Sequence, residues 1–160
     1  IHRIMGGLIY SFVRWIQIMM LKKRGWVLSD NVMISIHGVK KIGGGRIYCA
    51  DNVNINAECM LIASSDITIG KNSTLAYRTL LTTNANPNAP YNELCKIYPP
   101  IHKEIRIGDN VWVGAGVIVL PGCRIGNNSV IAAGSVVCSD IPDNCMAAGV
   151  PAKVKKRLMV

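Results

Sequence analysis

Few side chains in this chain have the chemistry to act on a substrate. Histidine occurs only as His2, His37 and His102. The six cysteines, Cys49, Cys59, Cys95, Cys123, Cys138 and Cys145, show no CxxC or CxxxH spacing, so no zinc site and no redox pair is read from them. They read as free, mostly buried thiols in a reducing cytoplasm. Lys and Arg number 18 against 9 acidic residues, a net charge of +9 that attracts anions. These basic residues are scattered apart from Lys22, Lys23, Arg24 and Lys153, Lys155, Lys156, Arg157, and no RNP-like, helix-turn-helix or zinc-finger pattern accompanies them. Nucleic acid is therefore set aside, and a phosphate-bearing cofactor is the favoured anion. The segment from Thr82 to Pro100, TTNANPNAPYNELCKIYPP, carries four prolines and no period of either kind. It is expected to be an extruded loop and the first place to look for chemistry.

What must position these residues is a six-residue repeat. Ile107, Val113, Val119, Ile125, Ile131 and Val137 recur at that spacing, with Val111, Val117, Cys123, Ser129 and Ser135 as a second small or branched series. No α-helix has this period. Three hexads close one triangular coil, which places Ile107 over Ile125, Val113 over Ile131 and Val119 over Val137, with short strands stacked about 4.8 Å apart. The same phase is weaker at Ile69, Leu75 and Leu81 and is read onward through Ala63 and Ala57. The fold expected is all-β: a parallel β-helix over residues 31–154, broken by a loop at 82–100. Ahead of it, residues 1–30 hold a helix from Ile4 to Leu21, closed by Lys22, Lys23, Arg24 and Gly25. Its polar positions Arg3, Ser11, Arg14 and Gln17 gather on one stripe, so it packs on the body or lies in a membrane interface. After Asp140 the chain leaves the prism. Pro151 opens a short C-terminal helix that caps the stack, followed by a basic tail at 155–160.

The segment IRIGDNVWVGAGVIVLPGCRIGNNSVIAAGSVVCSDIPDNCMAAGVPAKV, and more loosely DNVNINAECMLIASSDITIG, resembles the hexapeptide-repeat O-acetyltransferases that acetylate sugars. With the loop, the resemblance covers about two thirds of the chain. It implies a left-handed coil, although parallel crossovers in general are right-handed. It also implies a homotrimer, acetyl-CoA as cosubstrate in the groove between subunits, and a carbohydrate acceptor. By the same resemblance Trp112, Ala115 and Ala133 would line the pantetheine arm, and Lys153 and Lys156 would meet the cofactor phosphates. Cys138 and Ser139 replace a common Thr-Lys pair, and Asn56 falls where the family often has an acceptor-binding Asn. Tight corners also demand small residues such as Ala115 and Ala133, and Asn56 is also a routine turn residue. No metal is implied, because the zinc enzymes that share this fold need three histidines around one site.

The family's loop histidine, which takes the acceptor's proton, is absent. Asn84, Ala85 and Asn86 occupy its slot, and none of them accepts a proton at neutral pH. Three explanations remain: His102 just after the loop serves, a residue of a neighbouring subunit serves, or none does, leaving an impaired acyl-CoA-binding homologue. Acetyl transfer to a carbohydrate hydroxyl by direct attack on the thioester is the leading function. Serine or an amino sugar is the alternative acceptor. The location expected is the cytoplasm, peripheral to the inner face of a membrane if the helix meets lipid.

Overall fold

Short strands with one or two inward residues each bury little alone, so the hexads must stack. The computed structural model describes residues 2–29 and 31–159, with the backbone alone for 2–11. It has helix α1 (His2–Lys23) followed by a three-sided parallel β-helix. Coil one comprises β1 (Trp26–Leu28), β2 (Met33–Ile34) and β3 (Lys40–Ile42). Coil two comprises β4 (Ile47–Cys49), β5 (Asn54–Ile55) and β6 (Met60–Ile62), and coil three β7 (Ile67–Ile69), β8 (Thr74–Leu75) and β9 (Leu80–Thr82). An extruded ribbon, β10 (Asn84–Ala85) and β11 (Ile101–His102), then interrupts the stack. Coil four is β12 (Ile105–Ile107), β13 (Trp112–Val113) and β14 (Ile118–Val119); coil five is β15 (Arg124–Ile125), β16 (Val130–Ile131) and β17 (Val136–Val137). A last turn bridges Ile141 to Ile125 and ends in β18 (Cys145–Ala148), against which β19 (Lys153–Arg157) folds antiparallel.

The three faces are β1-β4-β7-β12-β15, then β2-β5-β8-β13-β16-β18-β19, then β3-β6-β9-β14-β17. The register agrees with the hexad reading. Ile69, Ile107 and Ile125 stack on the first face, Leu75, Val113 and Ile131 on the second, and Leu81, Val119 and Val137 on the third. All nine are buried, as are Val111, Val117, Cys123, Ser129 and Ser135. Each large apolar side chain so removed from water stabilises the stack by about 1.5–3 kcal/mol.

Four expectations are corrected. Upstream the inward column is Cys49, Ile55 and Leu61, not Ala57; Ala63 is buried, but just beyond β6. The cause is coil length: Cys49 pairs with Ile69, whereas Ile107 pairs with Ile125, so coil two carries extra corner residues that shift the phase. The prism also starts earlier than residue 31, because Trp26 pairs with Ile47 and is buried. The expected break at 82–100 is moved in turn: Thr82 ends β9, and the excursion runs from 83 to 104, with Lys103 N–H donating to Thr83 O at its root. Among the described residues no C-terminal helix forms; β19 instead pairs Val154 with Ala147 and Arg157 with Cys145. Pro151 sits in the turn between them, and the exposed rim of β18 gains a strand partner that a helix would not give it.

Helix α1 closes the open end of coil one, ending at Lys23 with Gly25 at φ +83. It packs on the body through polar side chains: Arg14 Nη2 donates to Val32 O at 3.1 Å and Gln17 Nε2 to Ile34 O at 3.0 Å, while Leu21 meets the core. The expected stripe is thus turned inward at Arg14 and Gln17; the side chains of Arg3 and Ser11 lie outside the described residues.

Candidate active site

Where the chain turns from the first face to the second, every coil from the second onward places an asparagine in the left-handed region: Asn52, Asn72, Asn110, Asn128 and Asn144, with φ between 53 and 59. Their side chains form a ladder in which each Nδ2 donates to the next Oδ1 at 3.0 Å. Asparagine tolerates this backbone and supplies a donor and an acceptor along the stack. The edge is internally satisfied and presents little for a ligand.

The second edge, between the second and third faces, stacks Ala57–Glu58, Tyr77–Arg78, Ala115–Gly116 and Ala133–Gly134. Arg78 N–H donates to Ala57 O, Gly116 N–H to Tyr77 O and Gly134 N–H to Ala115 O, at 2.9–3.1 Å. Its lower half is charged: Arg78 Nε meets Glu58 Oε2 at 2.6 Å, and that carboxylate raises the guanidinium further above its ordinary value. Its upper half is bare, with side chains no larger than a methyl group. Room there is short, since a Cβ on Gly114 would stand 2.7 Å from both Ala133 N and Ile131 O. On the adjoining second face an outward row runs Trp112, Val130, Met146, Lys156 through successive strands. At about 4.8 Å per strand this track is about 14 Å long, from an exposed indole to an exposed ammonium. Lys153 stands beside it, opposite Ala148. No ion pair among the described residues engages either lysine. A long, narrow co-substrate with an apolar arm and phosphates at one end fits such a track.

The third edge carries the excursion. Buried Thr83 anchors it, its Oγ1 accepting from Ser65 N–H at 2.9 Å and donating to Ile62 O at 3.1 Å. In the ribbon Asn84 stands directly opposite His102, and Ala85 opposite Ile101. Directly opposed residues of an antiparallel pair point to the same side with Cβ atoms about 5 Å apart. The histidine after the loop therefore shares a side of the ribbon with Asn84, one of the three residues among which a loop histidine is expected. Asn84 is half-buried, its carbonyl accepting from Thr82 Oγ1 at 2.9 Å, and His102 is exposed. Asn86 is turned to local use, its Oδ1 accepting from Ala89 N–H at 2.8 Å.

Within one protomer the expected residues therefore divide. Asn56, Ala115 and Ala133 share the second edge, with Trp112, Lys153 and Lys156 beside them. Asn84, Ala85, Asn86 and His102 lie on the third edge, as do Cys138 and Ser139 two coils up, both exposed. The third face separates the groups. Asn56 donates through Nδ2 to Leu75 O at 3.0 Å and lines a cavity of about 370 Å³ under α1, together with Arg14, Gln17 and His37. That hollow is two coils below Ala115. Tyr77 was missed from sequence: it is 59% exposed, directly under Ala115, and borders a hollow with Glu58, Arg78 and Gly116. The signal was available, because the register pairs Leu75 with Val113 and so matches AYR with GAG at the corner.

Three of the buried cysteines are held as thiols. Burial pushes the Cys49 thiol up to about 12 and raises Cys59; Cys123 is raised by burial first and then by Asp140 and Cys138. Thiols held protonated in this way are inert. All six are free, and no cluster of metal-ligating side chains occurs among the described residues.

Residues 104–139 match the family described as bacterial transferase hexapeptide (six repeats). Over 142 residues the chain is 37% identical to a galactoside O-acetyltransferase of Lactococcus lactis subsp. lactis (strain IL1403), covering 89% of this chain and 68% of that protein. For seven further acetyltransferase relatives the chain spans 55–64% of their length. A maltose O-acetyltransferase from Clostridium difficile 630 superposes with a TM-score of 0.77 at 32% identity, over 88% of this chain and 73% of that one. A galactoside acetyltransferase solved in complex with coenzyme A gives 0.68 at 31% identity, over 84% and 66%. The chain belongs to the hexapeptide-repeat O-acetyltransferases, acyl-CoA-dependent acetyltransferases built on a left-handed parallel β-helix.

Proposed function

We propose that this protein transfers the acetyl group of acetyl-CoA to a hydroxyl of a carbohydrate, with His102 as the base. The acceptor oxygen attacks the thioester carbonyl carbon while His102 takes the hydroxyl proton. The carbon–sulfur bond then breaks, and the CoA sulfur leaves as thiolate and is protonated. The observation that carries this reading is the pairing of His102 with Asn84: an imidazole stands across the ribbon from one of the three residues, Asn84, Ala85 and Asn86, among which the family's histidine is expected. Acetyl-CoA would lie along the bare second edge, its pantetheine arm against Trp112, Ala115 and Ala133 and its phosphates near Lys153 and Lys156.

The ribbon and the bare edge of one protomer flank opposite sides of the third face. A homotrimer in which the ribbon edge of one copy meets the second edge of its neighbour would complete three equal sites; the placement of the two groups on different edges of one protomer supports that reading. Cys138 and Ser139 then border the cofactor from the neighbour's side. Asn56, below the ribbon, would reach the acceptor rather than the cofactor. The cytoplasm is the proposed location, supported by six free cysteines.

A second reading, a homologue that binds acyl-CoA but turns over poorly, is favoured by the slot itself, where Asn84, Ala85 and Asn86 hold no base. Release of CoA from acetyl-CoA, measured with a panel of sugars and with serine, separates the two. The enzyme reading expects turnover on a sugar, lowered about 10²- to 10⁴-fold by His102→Ala with acetyl-CoA binding retained. Turnover unchanged by His102→Ala removes His102 from the mechanism. Binding without turnover, with turnover restored by Asn84→His, Ala85→His or Asn86→His, selects the second reading.

A further inference from the structure

Helix α1 is inside out. Its polar residues Arg14 and Gln17 face the prism, and at the spacing i, i+3, i+7 its opposite side presents Phe12, Trp15 and Met19, which are 61%, 57% and 42% exposed. Met20 is 58% exposed beside them, and the Phe12 and Trp15 rings stack with centroids 6.3 Å apart. At 100° per residue Arg14, Gln17 and Leu21 lie opposite that stripe, so the helix cannot bury both sides against its own body. Lys22 and Lys23 close the last turn, flanking the stripe, and Arg24 follows; all three are exposed.

Charge is concentrated at the same end. Residues 1–50 hold eight basic side chains against Asp30 alone, while the remaining 110 residues are nearly balanced. Exposed aromatics beside lysines, with no acidic residue in the helix, match the interface between headgroups and acyl chains. A protein partner fits less well, since interfaces between proteins are depleted in lysine. A second copy meeting this one end to end would oppose two like-charged ends. No helix among the described residues is long and apolar enough to cross a membrane. Because α1 lies across the end of the stack, its outer side faces along the prism axis, away from any neighbour packed side by side.

We propose that α1 docks the protein on an anionic lipid surface, Phe12, Trp15 and Met19 entering the interface and Lys22, Lys23 and Arg24 meeting the headgroups. The test is flotation of the full chain with vesicles of phosphatidylcholine alone or containing 30% phosphatidylglycerol. Binding should be at least about tenfold stronger to the anionic vesicles and should fall at high salt. Phe12→Gln with Trp15→Gln should abolish it, and Lys22→Gln, Lys23→Gln, Arg24→Gln together should weaken it about tenfold, with unchanged β-sheet circular dichroism in both variants. Equal binding to neutral vesicles, no binding to either, or binding that survives the Phe12 and Trp15 changes overturns the proposal. So does a loss of self-association in the Phe12, Trp15 variant without a loss of lipid binding, which would assign the stripe to a second copy.

Discussion

The asparagine edge and the ribbon edge are built from the same coils and differ in what they leave unsatisfied. On the first, each side-chain amide is engaged by the coil above or below, and the corner residue recurs in coil after coil. On the second, the corner repeats until Thr83 and then opens into a ribbon that carries an exposed imidazole opposite an asparagine. A repeat whose donors and acceptors pair within the stack supplies stability. Chemistry enters where the repeat is interrupted and polar groups are left facing outward. The bare corner at Ala115 and Ala133 lies between these extremes: its backbone is paired, but it has no side chains to fill the space beside it.

That contrast can be broken in graded steps. The largest effect expected is on the ribbon edge, where His102→Ala should lower kcat about 10²- to 10⁴-fold while leaving the thermal midpoint unchanged; a shift in midpoint would show that His102 holds the ribbon instead. At the bare corner, Gly114→Val forces a side chain into backbone of the coil above. It should cost about 1–3 kcal/mol in chemical denaturation and weaken acetyl-CoA binding along with it.

On the ladder the order of effects should reverse. Asn110→Ala loses two side-chain bonds and strains a left-handed residue, together about 2 kcal/mol, while Asn110→Gly, free of that strain, should cost about 1 kcal/mol. Neither should alter kcat, and a kinetic defect in Asn110→Gly would make the ladder part of the active site. The smallest effect concerns the thiols. In the native protein, a thiol reagent at pH 8 should label exposed Cys138 and partly exposed Cys95 quickly, and Cys49, Cys59, Cys123 and Cys145 only on unfolding. Cys49, raised to about 12 by burial, holds its proton more tightly folded than unfolded. Stability should therefore decline between about pH 9 and 12, and Cys49→Ala should flatten that slope.

The strict hexads from Ile107 to Val137 were legible because an inward column of branched residues has a fixed spacing in any three-sided coil. Upstream the same reading slipped, since a few extra residues at a corner leave the stack intact but move the phase, and only the pairing of Cys49 with Ile69 reveals it. The C-terminal helix was misread for a related reason. Pro151 opens helices and turns alike, and the choice fell to the unpaired rim of β18.

The sequence by itself determined the repeat, the place of the interruption, the absence of a base in the loop slot and the two basic clusters, because each is a matter of residue type and local spacing. Tertiary structure alone decided that His102 stands opposite Asn84, that Cys138 and Ser139 are parted from Ala115 and Ala133 by a whole face, and that α1 turns its polar side inward. Those are relations between residues far apart along the chain or across an end of the prism. They are set by which coil stacks on which and by which unpaired groups a helix must cover.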